Sequence, residues 1–230
     1  MGYLGGKGNS RLRVIGAMAS HRVYIETHLG GGAVMLAKRP SERQIGIDAD
    51  HLVIDSWRER GAPCELVNGD AVKFLRDFDF EGGELVYADP PYPLETRSKR
   101  NRYRCEYSDH DHAVLLEMLL TLPCKVLVSG QPTELYRKHL GTWRRIELRS
   151  GTRAGPRTET LWANYPDTYP LHEPDRAGAD FRERERSKRR VATIRRKVER
   201  LTDAERSVLV RWLSRNYPEQ VEGLGRGGSV

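Results

Sequence analysis

Along the first 165 residues, short apolar runs alternate with segments whose apolar positions recur at helical spacing. Strands are predicted at Val23–Glu26, 44–48, Glu65–Asn68, Glu84–Ala88 and 125–129. Helices are predicted between them at 32–38, His51–Glu59, 71–78, 109–122 and 133–140. Strands at 144–148 and 158–164 have no helix between them. The stretch 149–157 that joins them contains Gly151, Gly155 and Pro156, so they read as an antiparallel pair. Repeated βα units predict an α/β fold with a mostly parallel sheet, closed here by a terminal antiparallel hairpin. After Tyr165 the pattern changes. Pro166, Pro170 and Pro174 mark a linker over 166–179. Two helices are predicted over 180–217. Val191, Ile194, Val198 and Leu201 form the apolar stripe of the first, and Thr202 to Glu205 forms a capping box that opens the second. Residues 218–230 read as a frayed tail.

The strand ends carry the chemistry. Glu26, Asp48, Asp70 and Asp89 each stand at or just beyond the carboxyl end of one of four consecutive strands, the edge at which open α/β sheets bind ligands. Core packing gives no reason for four acids there. Asp48 suits ribose hydroxyls, whereas Asp70, after Gly69, suits either an adenine edge or the cap of the next helix. Gly30-Gly31-Gly32 follows Glu26 and lets backbone approach a ligand closely. Its spacing is not the dinucleotide fingerprint, and Gly5-Gly6-Lys7 lacks the strand and hydroxyl of a phosphate loop.

Asp89-Pro90-Pro91-Tyr92 is the most specific of these signals. Two prolines stiffen the turn and keep the residues before them extended. The Asp89 carboxylate and the Pro90 carbonyl are thereby held as a pair of acceptors beside the flat face of Tyr92. Such a pair can take both protons of an exocyclic base amine, drive its nitrogen toward sp³ and free the lone pair for in-line attack on a sulfonium methyl. The same logic serves adenine N6 and cytosine N4.

Charge adds a partner. The chain carries a net +7, concentrated in two segments. Residues 180–200 hold ten Lys or Arg against four acids, and residues 95–104 hold five against one. Basic segments on a slightly acidic body point to a polyanion. The segment 93–107 follows Tyr92 directly. Its Arg97, Lys99, Arg100, Arg102 and Arg104 suit phosphates, and Tyr103 suits stacking or wedging. No apolar run is long enough to span a membrane. Three separated cysteines make neither a zinc ribbon nor a disulfide framework, so a cytoplasmic protein with reduced thiols is expected. Ser108-Asp109-His110-Asp111-His112 looks like a metal cluster but reads better as a capping box, and the chemistry above requires no metal.

These motifs together resemble the Dam-like, DPPY-type DNA adenine-N6 methyltransferases, in particular their short phage and mobile-element forms, over about residues 3–165. The resemblance implies a Rossmann-like S-adenosylmethionine-dependent methyltransferase fold, with S-adenosylmethionine as cofactor and DNA as partner. It implies that Tyr3 packs near the cofactor and that Lys7 reaches the cofactor carboxylate or the site. It places Glu26, Gly30 and Gly32 at the methionine moiety, Asp48 at the ribose and Asp70 at the adenine. Asp89, Pro90 and Tyr92 become the catalytic motif, with Asp89 also beside the cofactor. Two features depart from the family. Thr27-His28 replaces the usual Pro-Phe and removes an apolar contact beside the cofactor. The large target-recognition insert before the DPPY motif is missing, because only residues 71–88 separate Asp70 from Asp89. A DNA-binding module that keeps the fold without the cofactor is the reading that the first departure permits.

Overall fold

The strands begin and end close to where the apolar runs place them. In the computed structural model, which describes residues 10–93, 104–152, 155–178, 181–218 and 220–221, β1 is Val23–Glu26, β2 Arg43–Asp48, β3 Glu65–Asn68, β4 Glu84–Ala88 and β5 Lys125–Gly130. The final pair is β6, Arg144–Thr152, and β7, Gly155–Ala163. They form one sheet in the order β3-β2-β1-β4-β5-β7-β6. The first five strands are mutually parallel, and β7 runs antiparallel to both β5 and β6.

Strand alternation divides the core into two layers. Tyr24, Leu85, Tyr87 and Leu127 face α1 (Ser10–Ala17) and α2 (His51–Glu59), packing with Val14, Ile15, Ile54 and Trp57. Ile25, Val86, Ala88, Val126 and Val128 face the other way. There they meet α3 (Ala71–Asp77), α4 (Asp109–Thr121) and α5 (Glu134–His139), packing with Leu75, Leu115, Leu116, Leu119 and Tyr136. Each such fully buried large side chain contributes about 1.5–3 kcal/mol. Sheet order and helix placement together make the doubly wound α/β sheet expected from the βα alternation.

Local chemistry sets the helix starts. Asp50, Asp70, Ser108 and Thr133 each accept a backbone N–H from the first turn of α2, α3, α4 and α5. Ser108 and Asp111 close a reciprocal capping box, and no metal-binding cluster of three His, Cys, Asp or Glu occurs among the described residues.

Three expectations need correction. Residues 32–38 form turns, not a helix. Gly32 sits at a φ of 59°, and the bonds that follow alternate between three- and four-residue spans, as in Ala37 N–H and Lys38 N–H to the Val34 carbonyl. The helix α1 was not expected, since eight residues interrupted by Gly16 give little periodicity; its burial of Val14, Ile15 and Ala17 stabilises it. The stretch 149–157 is mostly ladder, with Arg149 opposite Thr158 and Thr152 opposite Gly155. Gly and Pro there belong to the end of a long hairpin.

Residues 166–178 run along the amino-terminal edge of the sheet. Ser20 N–H bonds the Pro170 carbonyl, His172 N–H bonds the Met18 carbonyl, and the Arg39 guanidinium reaches the His172 carbonyl. The His21 and His172 rings stack at 4.1 Å. A 3₁₀ turn at Pro174–Arg176 abuts the end of α1, where a Cβ on Gly16 would meet the Arg176 carbonyl oxygen at 2.2 Å. Helices α6 (Phe181–Glu199) and α7 (Asp203–Asn216) follow. Thr202 and Glu205 form the expected capping box. The apolar stripes of the two helices stay exposed, with Ile194 at 58% and Trp212 at 49%. No described helix is long and apolar enough to cross a membrane.

Candidate active site

The sheet brings four of the predicted site residues into one row. Because β3, β2, β1 and β4 are adjacent, Asp70, Asp48, Glu26 and Asp89 line the carboxyl edge in that order. The chain leaves β1 toward β2 on one side and later returns with β4 on the other. The crevice between β1 and β4 is therefore the topological switch point, the place where such sheets bind ligands.

At the center of the row, Glu26 is 3% exposed and accepts a hydrogen bond from the Tyr24 hydroxyl at 3.0 Å. Burial pushes its carboxyl up to about 8, and the nearby Asp89 charge adds to this against the opposing Tyr24 bond and Lys38. An acid held above its unfolded value contributes stability that is complete below about 4.5 and is lost as pH rises through about 8. Glu26→Gln, which cannot ionise, is expected to remove that decline. Denaturant melts at pH 5 and pH 9 should show wild type losing several kcal/mol more than the variant; parallel losses would mean that Glu26 is not the titrating group.

Next to it, the glycine loop is held from both sides. Asp48 Oδ2 accepts Gly30 N–H at 2.8 Å and Oδ1 accepts Asp50 N–H at 2.9 Å. Burial raises the Asp48 carboxyl, and these two bonds work against the rise. Trp57 on α2 donates from Nε1 to the Gly30 carbonyl at 2.9 Å. Gly30 and Gly32 both have left-handed φ, 47° and 59°. A Cβ on Gly32 would lie 2.2 Å from Trp57 Cζ2. Asp70, by contrast, is exposed, and its side chain caps α3 through Lys73 N–H at 2.8 Å.

On the other side of Glu26, Pro90 is buried and Tyr92 half-buried beyond Asp89. The Tyr92 hydroxyl donates to Glu159 Oε1 at 2.6 Å. Glu159 lies on β7, 67 residues away, and is itself buried. The ring of the tetrapeptide is thereby fixed by the antiparallel strand. No sequence signal announced Glu159, because an acid in an alternating strand looks like an outward-facing residue until the partner is seen. Glu159→Ala is expected to lower turnover about tenfold with the fold intact, as the loss of one charge-assisted bond of about 1.5 kcal/mol would. Glu159→Gln keeps an acceptor and should recover most of the loss. Equal defects in both variants would assign Glu159 a different role.

Thr27-His28 forms a bridge in place of an apolar contact. Thr27 Oγ1 donates to the Tyr87 carbonyl at 3.4 Å and accepts from His28 Nδ1 at 2.8 Å, leaving His28 Nε2 to accept from the Tyr107 hydroxyl at 3.0 Å. Burial lowers His28 to about 3, so the imidazole is neutral. Tyr107, pinned this way, stands edge-on to both His28 and His112. Its hydroxyl is raised by burial foremost and then by the Asp70, Asp111 and Asp48 charges. Arg104, one of the predicted DNA contacts, is exposed and pairs with Asp50 Oδ2 at 3.7 Å. The carboxyl end of the basic segment therefore returns over the ends of β2 and β3. Tyr3, Lys7, Arg97, Lys99, Arg100, Arg102 and Tyr103 lie outside the described residues.

No family model matches the chain, and no curated protein matches it. Several solved structures are similar to the chain at low identity. A dimethyladenosine transferase from Plasmodium falciparum has a TM-score of 0.43 and 12% identity, the match covering 70% of this chain and 61% of that one. The 23S rRNA methyltransferase ErmE has a TM-score of 0.47 and 18% identity, covering 70% and 67%. A spermidine synthase in complex with a transition-state analogue has a TM-score of 0.49 and 13% identity, covering 70% and 61%. These likenesses are too distant to say what the chain acts on, and the first spans less than two thirds of the protein it matches. The strand order, the switch point between β1 and β4 and the antiparallel final pair give the chain a Rossmann-like, mostly parallel α/β fold closed by an antiparallel hairpin.

Proposed function

We propose that the chain is a DNA methyltransferase that acts on the N6 amine of adenine with S-adenosylmethionine as methyl donor. The observation that carries this reading is the position of Asp89-Pro90-Pro91-Tyr92 at the switch-point crevice, next to a buried carboxyl and with its ring fixed by Glu159. The residues around the crevice fit the cofactor. Glu26 is a buried acid whose ionisation a cationic ammonium or sulfonium would favour. The left-handed glycines leave room for close backbone approach, and Asp48 keeps further acceptor capacity for hydroxyls. When bound, the cofactor supplies an electrophilic methyl group.

The chain's own residues do the rest. A base amine placed between the Asp89 carboxylate and the Pro90 carbonyl donates one N–H hydrogen bond to each. Its lone pair then leaves conjugation with the ring and points at the incoming methyl. As the N–C bond forms, the methyl–sulfur bond breaks and its electron pair leaves with sulfur as a neutral thioether; the nitrogen becomes a charged ammonium, which the Asp89 carboxylate stabilises and which then loses one proton to solvent. Tyr92 stacks on a base that has left the duplex. The Tyr87 hydroxyl and Ser129 Oγ, 2.8 Å apart in the core beneath, satisfy each other and keep the floor of the site rigid.

Incubation of duplex DNA with labelled S-adenosylmethionine, followed by nucleoside analysis, tests the reading. N6-methyladenine is the expected product. N4-methylcytosine would keep the site chemistry and replace the acceptor. No methylated nucleoside, with active controls, rejects the proposal. Calorimetry with S-adenosylhomocysteine then separates an enzyme with another acceptor from a module that binds no cofactor.

A further inference from the structure

Sheet topology places the start of the basic helix at the end of the sheet opposite the acidic row. Residues 18–22 lead into β1 from its amino-terminal end, and Arg22 N–H bonds the Gly83 carbonyl just before β4. Pro170 and His172 bond this same edge, and the 3₁₀ turn from which α6 departs lies against the end of α1. Arg184 fixes the base of α6 by donating to the Gly178 carbonyl at 3.2 Å. Helix α6 therefore starts at the amino-terminal edge, opposite the one that carries Asp89. It extends about 28 Å at 1.5 Å per residue.

No described residue from 182 to 199 is buried. Nine Lys or Arg and three acids occupy α6. Arg182, Arg186, Arg189 and Arg190 recur at helical spacing along one groove, with Glu185 as its acid. A helix this basic repels a second copy of itself, so charge favours a polyanion over self-association. The residues 182–190 span about 12 Å, the rise of three to four phosphates along one strand.

We propose that α6 is a phosphate-gripping arm for duplex DNA, rooted at the sheet edge opposite the methylation crevice. It holds a stretch of duplex other than the one that presents the target base. The choice of DNA rests on the proposed function; the site itself rests on charge and placement. Such an arm adds affinity without reading sequence.

The test is the salt dependence of binding by the full chain to a 30-base-pair duplex without regard to sequence, followed by fluorescence anisotropy. Arg182→Gln, Arg186→Gln, Arg189→Gln and Arg190→Gln combined should make the slope of log Kobs against log[salt] shallower by roughly 3 to 4, since each phosphate contact contributes about 0.9. The loss should be equal for duplexes that are and are not methylated by the protein. Thermal melts check that the exposed substitutions spare the fold. Equal slopes for wild type and the quadruple variant would overturn the arm, as would tighter binding of an RNA duplex than of DNA. An unchanged slope with loss of a homodimer in sedimentation velocity would assign α6 to self-association instead. The nucleoside assay is scored separately, so failure of methylation and failure of the arm are distinguishable.

Discussion

Asp89→Ala is expected to abolish methyl transfer, with a fall of at least about 10³-fold in turnover and little change in the melting temperature. The size follows from the function assigned to the carboxylate: it accepts an amine hydrogen bond and offsets the charge that develops at nitrogen. The fold should survive, because Asp89 lies beyond the last residue of β4, where the five strand residues before it are all buried. Loss of its charge also removes one of the influences that raise Glu26, so the Glu26 carboxyl should titrate lower in the variant. Single-turnover transfer to duplex DNA and a pH titration of the variant give both readouts. Retained transfer would mean that the acceptor pair does not include this carboxylate.

The second large effect is expected from Gly32→Ala. The substitution puts a side chain at a φ of 59° and drives its Cβ into the Trp57 ring at 2.2 Å. Strain of this kind costs about 1–3 kcal/mol before the clash is counted. Trp57 can yield only by giving up its bond to the Gly30 carbonyl, which holds the same loop. Affinity for S-adenosylhomocysteine should therefore drop by about 10²-fold or more, measured by calorimetry, while a circular dichroism spectrum keeps its α/β shape. A substitution at Gly69, where an added Cβ meets nothing within 4 Å, serves as the control. Equal affinity in Gly32→Ala and wild type would remove the loop from the cofactor site.

The acidic row was legible in the sequence because it depends on local pattern alone. Strand ends follow from where the apolar runs stop, and Glu26, Asp48, Asp70 and Asp89 each sit at such a stop. Helix α2 was legible to the residue, since Asp50 caps it and Val53, Ile54 and Trp57 give it a clear apolar face. What the sequence concealed was non-local. Glu159 meets Tyr92 only because β7 lies between β5 and β6, and no spacing along the chain encodes that insertion. The bridge from His28 to Tyr107 joins residues 79 apart. From sequence, Thr27-His28 reads as a lost apolar contact; in the fold it secures the return of the basic segment. The turns at 32–38 were hidden for a different reason, since Val34 and Met35 are buried there without any helix to bury them.

The position of β7 also bears on how the protein is made. Strands β1 to β5 can pair in the order in which they leave the ribosome, but β6 must wait at a distance of one strand until β7 fills the gap between it and β5. A nascent chain halted before residue 155 would carry Asp89-Pro90-Pro91-Tyr92 complete, yet leave the edge of β5 open and the Tyr92 hydroxyl without Glu159. The tetrapeptide is translated early, and its final geometry arrives with the last strand of the sheet.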